Sequence, residues 1–125
     1  MPKIEVVFYK EGDGSVPVLD WLNVVKRHEK RVYAKCLVRI GILEAEGHEL
    51  RRPLSDYLRD GIHELRVRFG TVNYRILYFF SGQTAAILAH ALAKEDKVPE
   101  KDIELVLVRK GRFDADPEGH TYHED

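Results

Sequence analysis

Two runs, HELRVRF (63–69) and NYRILYFF (73–80), stand on either side of GTV and alternate polar or cationic residues with apolar ones. A period of two is the signature of a β-strand with one face turned to a core, and Gly70 and Asn73 supply turn chemistry between the runs. The segment is therefore a β-hairpin. Its first strand directs Leu65, Val67 and Phe69 to one face and Glu64, Arg66 and Arg68 to the other. Its second strand places Asn73, Arg75 and Leu77 on one side and Tyr74, Ile76 and Tyr78 on the other, so that Arg75 comes near Arg66 or Arg68 if it shares their face.

Other segments fit around this hairpin. KIEVVFYK, closed by EGDGS, predicts a first strand. Ser15 ahead of Pro17 and VLDWLNVVK predicts a short helix starting near Ser15 or Val16. From about Glu29 to Glu46, apolar residues at steps of three and four (Val32, Cys36, Leu37, Ile40, Leu43) predict a long amphipathic helix with Gly47 as its cap. Residues 47–61 read as a polar connection. TAAILAHALA follows SGQ at hairpin spacing and predicts a further strand. Pro99 opens a last helix, PEKDIELVLVRK, acidic in its first turn and basic in its last, as the helix dipole favours. Runs of helix and then of strand predict an α+β domain with its helices on one face of a mainly antiparallel sheet.

At 125 residues the chain suits one domain, assigned to residues 1–112, followed by an acidic, flexible tail over 113–125. The net charge of −1 conceals an uneven distribution. Residues 51–112 hold twelve Lys/Arg against eight Asp/Glu, whereas residues 113–125 hold five acids and no Lys or Arg. One cysteine, Cys36, excludes an internal disulfide and fits a reducing compartment. No apolar run reaches the ~20 residues that span a bilayer. A cytoplasmic protein is expected, with no membrane partner. His120 and His123, three apart on the tail, make only a weak metal site.

Three guanidinium groups on one sheet face repel one another and require partners. Glu64, Asp60 or Asp56 could pair with them, or solvent could screen them. The alternative is a polyanion, whose phosphates planar guanidinium forks hold bidentately. Arg51, Arg52 and Arg59 before the hairpin, and Lys94 and Lys97 after the last strand, extend the second pattern to phosphate binding. Tyr57 is available to stack on a base, which suits a single-stranded nucleic acid. For cleavage of RNA without metal, Arg66, Arg68 and Arg75, with Lys94, would stabilise the phosphorane. Glu64, His63 and His90 are the candidates for proton transfer, although the strand parity of both histidines also suits packing.

The run LRDGIHELRVRFGTVNYRILYFF, followed by ILAHALAKEDKVPEKDIELV, resembles the phage-derived, HigB-like branch of the RelE superfamily of type II toxins, over roughly residues 3–110. The resemblance implies a small RNase that needs no metal or other cofactor and cuts mRNA in the 30S A site during translation. It also implies a helix-turn-helix antitoxin as partner, the two together occupying operator DNA. By motif, Arg66 and Arg68 take the basic positions of the ELRxR strand, Arg75 is the arginine of YRxxY, and Lys94 and Lys97 fall in the basic segment that follows. Where RelE has a lysine two positions before that of Arg66, this chain has Glu64. That departure implies a changed base or reduced activity, and it keeps open a non-catalytic toxin fold that serves as an antitoxin and DNA-regulatory partner.

Overall fold

The computed structural model describes residues 3–93 and 96–124. Its elements run β1 (Glu5–Phe8), α1 (Pro17–His28), α2 (Lys30–Glu46), β2 (Ser55–Arg59), β3 (Ile62–Phe69), β4 (Val72–Ser81), β5 (Ala85–Ala93) and α3 (Glu100–Ala115). Short 3₁₀ turns at Gly47–Glu49 and Glu118–His120 follow α2 and α3. One five-stranded sheet has the order β1-β5-β4-β3-β2. β1 runs parallel to β5 and the remaining pairs are antiparallel. The architecture is α+β, as expected.

The predicted hairpin is β3–β4, with Phe69 opposite Val72 across a two-residue loop. Gly70 opens that loop at φ 64°, the conformation that a glycine at the first central position of a II′ turn provides. A second hairpin precedes it, because the segment read as a polar connection contains β2, paired antiparallel to β3. Asp60 and Gly61 make its turn with φ of 51° and 85°, both positive as a type I′ turn requires. The cap at Gly47 and the helix boundary at Glu29 lie where the sequence places them.

The helices do not share one face. α1 and α2 cover one side, where Val18, Leu22, Val32, Cys36 and Leu43 meet Leu65, Val67, Ile76, Tyr78 and Leu88. α3 covers the other side through Ile103, Val106 and Phe113, against Ile62, Leu77, Phe79 and Ile87. The cause is in the central strands: Ile76–Phe79 and Ala86–Ala89 are buried without interruption. Strands apolar on both faces need cover on both. Cys36 is fully buried, and that burial pushes its thiol up to about 11, which leaves it an inert packing residue.

Residues 113–124 also depart from expectation. α3 continues to Ala115, and Phe113 is part of the core. Thr121 then bridges Tyr9. Backbone amides of Lys10 and Tyr122 donate to His120 and Phe8, at 2.9 and 3.0 Å. The His120 ring lies parallel to that of Tyr9 at 5.2 Å. A segment without apolar periodicity is thus held by backbone pairing, which hydrophobic patterning does not report. Among the described residues no helix is long and apolar enough to cross a membrane.

Candidate active site

The register sets Arg66 directly opposite Arg75 and Arg68 opposite Asn73, so the three arginines share a sheet face. It is the face that α3 covers, and α3 leaves part of it open. A cleft of about 500 Å³ lies between β2, β3 and β4 and the start of α3, with Asp56, Glu64, Arg66, Arg75, Lys97 and Glu100 among its walls.

Glu64 organises its floor. The residue is 1% exposed, and each carboxylate oxygen accepts from a different arginine. Arg75 Nη1 donates to Oε1 at 2.7 Å and Arg66 Nη2 to Oε2 at 3.0 Å. Arg75, 7% exposed, also donates to the Asp96 carbonyl. Arg66 Nη2 reaches Asp56 Oδ2 at 3.3 Å, and that same oxygen meets Arg52 Nη2 at 3.0 Å. The hydrogen bond from Arg52 holds the Asp56 carboxyl below the usual carboxylate range, against a smaller opposing effect of burial. Arg52, Asp56, Arg66, Glu64 and Arg75 therefore form one continuous line of alternating charge. Among the described residues the buried Nε–H groups of Arg66 and Arg75 have no acceptor.

Of the other predicted cations, Lys97 is exposed on the cleft wall. Arg59 also lines it, but Asp60 and Glu100 occupy its guanidinium, the latter at 2.7 Å. Arg68 is exposed and donates to the Gly70 carbonyl at 3.2 Å, outside the cleft walls. Lys94 lies outside the described residues. Arg51 points to the opposite side of the sheet, where it donates to the carbonyls of His48 and Leu50.

The proton-transfer candidates separate. Glu64 is in the cleft but beneath the arginines. His63 projects to the α1–α2 side, its ring parallel to that of Tyr78 at 5.2 Å. Burial, and then Arg51 and His48, hold its imidazole below the ordinary histidine range. His90 Nε2 meets Asp102 Oδ1 of α3 at 2.7 Å. Its expected parity with Leu88 fails because β5 carries an extra residue against β4: Leu77 faces His90 while Tyr78 faces Leu88. Ala89 absorbs the shift and turns His90 toward α3.

On the α1–α2 side, a second cleft of about 550 Å³ opens beyond the end of α2, lined by His48, Arg51, Tyr57, His63 and Phe80 among others. Asp56 and the edge strand β2 separate it from the first. Sequence reasoning missed Asp56 as a shared wall because it missed β2. The signal was present: Asp-Gly between LSDYLR and IHELRVRF is a strong short-range mark of a hairpin.

These features define a small α+β domain with an arginine-floored cleft, its positive and negative side chains balanced, on the α3 face of its sheet. The model of the family "Phage derived protein Gp49-like (DUF891)" matches residues 21–111. The chain belongs to that phage-derived family, which is a RelE/HigB-like toxin family. No curated protein matches the chain significantly.

Proposed function

We propose that the protein is the toxin of a type II toxin–antitoxin pair, acting in the cytoplasm as a ribosome-dependent endoribonuclease on mRNA in the 30S A site. Its partner is a helix-turn-helix antitoxin, and the pair occupies operator DNA. The family supports the toxin class. The observation that carries the activity is the Arg66–Glu64–Arg75 triad at the floor of an open cleft.

In this reading a base takes the 2′-hydroxyl proton, the 2′-oxygen attacks phosphorus, and the P–O5′ bond breaks as an acid protonates the departing oxygen. A 2′,3′-cyclic phosphate and a 5′-hydroxyl result. Arg66, with Lys97 on the wall, neutralises the charge that develops on the phosphorane, and Arg75 backs the site from below. Asp56 is the more open of the two carboxylates, its side chain 18% exposed against 2% for Glu64. Asp56 is therefore the group to meet the 2′-hydroxyl, and Glu64 positions the guanidinium forks. Lys94 and Lys97 are the cations available to the leaving group.

A second reading, a toxin fold without catalysis that acts by binding antitoxin and DNA, is favoured by one observation. Both arginines at the cleft floor already have carboxylate partners. Mapping of mRNA ends on translating ribosomes decides between them. Wild type is expected to cut, and Arg66→Ala to cut about 10²–10³-fold more slowly at a temperature where its own melt shows it folded. Intact message with the wild-type protein would sink the RNase reading and leave the binding one.

A further inference from the structure

The second cleft has a chemistry different from the first. Its walls are rings: His48 lies over Phe80 at 3.8 Å with 23° between planes, and Tyr57 meets His63 edge-on at 5.1 Å. Tyr57 is 56% exposed, its hydroxyl accepting from the Gly61 amide at 3.0 Å. Ser55 lines the cleft, its hydroxyl 2.5 Å from that of the buried Tyr78. His63 makes no hydrogen bond among the described residues, so both ring nitrogens remain available to a ligand. Burial keeps that ring neutral at pH 7, with one donor and one acceptor. Such a group suits the edge of a heterocycle better than a phosphate. The cations stand at the rim, where Arg52 reaches back to Asp56 at 3.0 Å.

We propose that this cleft receives an unstacked nucleobase of the same single-stranded RNA whose phosphate lies on Arg66. The inference rests on the RNA-cleaving reading of the first cleft and adds a base subsite to it. The path between the two is the charge line itself. Arg52 and Asp56 cross the edge strand, and Arg66 and Glu64 continue on the far side. A backbone following those guanidinium groups around β2 would carry a base into the aromatic cleft on one side and a scissile phosphate into the arginine-floored cleft on the other. Rings stack on any base, so the subsite fixes position first and selects sequence through His63.

The test is a titration of the full chain with a 2′-O-methyl tetra-adenylate and with the same oligomer carrying one abasic position, read from the histidine ring protons by NMR. The methyl group blocks cleavage, so binding is measured apart from activity. The intact oligomer is expected to shift His48 and His63, and Tyr57→Ala to weaken it about tenfold. The abasic oligomer should bind about tenfold more weakly to wild type and be indifferent to Tyr57→Ala. Equal binding of the two oligomers, or binding that leaves both histidine rings unmoved, overturns the base subsite. Absence of binding at millimolar oligomer overturns it as well. Equal binding of the two oligomers, or unmoved histidine rings, leaves the arginine-floored cleft untouched, and that cleft stands or falls with the Arg66→Ala cleavage map.

Discussion

Glu64 is a carboxylate with almost no access to water, held between two guanidinium groups. Buried pairs of this kind add little net stability, yet loss of one partner leaves the others uncompensated. Glu64→Ala should therefore cost about 3–5 kcal/mol in urea unfolding, and Glu64→Gln should lower cleavage while preserving more of the fold. His63 gives a pH signature. Its folded pKa lies below the unfolded value of 6.5, so the unfolded chain takes up the proton first. That contribution is whole above the unfolded value and is lost as pH falls from there to the folded value. A His63→Gln variant should show a shallower loss of stability across that acidic window, measured by denaturation at stepped pH. The three hairpin arginines and their common face were legible in the alternation of residues 64–75. The sequence offers Glu64 as one of three carboxylate partners, with Asp56 and Asp60, and does not choose among them. Which acid meets which arginine depends on rotamers across two strands, and a period of two carries no such information.

At the scale of elements, β2 is the piece that joins the two clefts, and its turn is its least tolerant point. Gly61 sits at φ 85°, where any side chain is strained. Gly61→Ala should destabilise by about 1–2 kcal/mol and, by loosening Asp56, reduce cleavage more than so small a thermal loss would suggest. Parallel melting and cleavage assays would show it, and an unchanged cleavage rate would count against Asp56 as a working residue. β3, β4, β5 and all three helices were recognisable from periodicity and caps. β2 was not, because SDYLR is short and polar at an edge, where one partner strand suffices and no apolar run is needed. The bulge at Ala89 was equally hidden, since an extra residue in one strand leaves no mark until its neighbour is known.

For the molecule as a whole, the C-terminal segment and the arginine-floored cleft lie at opposite edges of the sheet. The segment pairs with β1, and the cleft opens at β2 and β3. The acidic tail is thus bound to Tyr9, Lys10 and Phe8, away from the arginines. Deleting residues 116–125 removes a ring stack and two backbone hydrogen bonds, and should cost on the order of 2–3 kcal/mol. RNA affinity and its dependence on salt should remain as in the full chain. A gain in affinity on deletion would show instead that the tail competes with RNA for the arginines. Helices on one face of the sheet is the expectation that departs furthest from the fold. It follows the polar alternation of β3 and passes over the unbroken apolar runs of β4 and β5.

The parallel pairing of β1 with β5 has a consequence for the order of events during synthesis. Glu5 is matched to Ala85, so the first strand to leave the ribosome waits for one of the last to find its partner. Until then β1 is an unpaired strand beside two finished helices, and contacts so distant in sequence close slowly. Pulsed hydrogen exchange during refolding should find the amides of Val6–Phe8 protected after those of the β3–β4 hairpin. A chain arrested before Ala85 would lack β5 and leave β1 unpaired, two of the five strands, which makes complete synthesis a condition for the finished sheet.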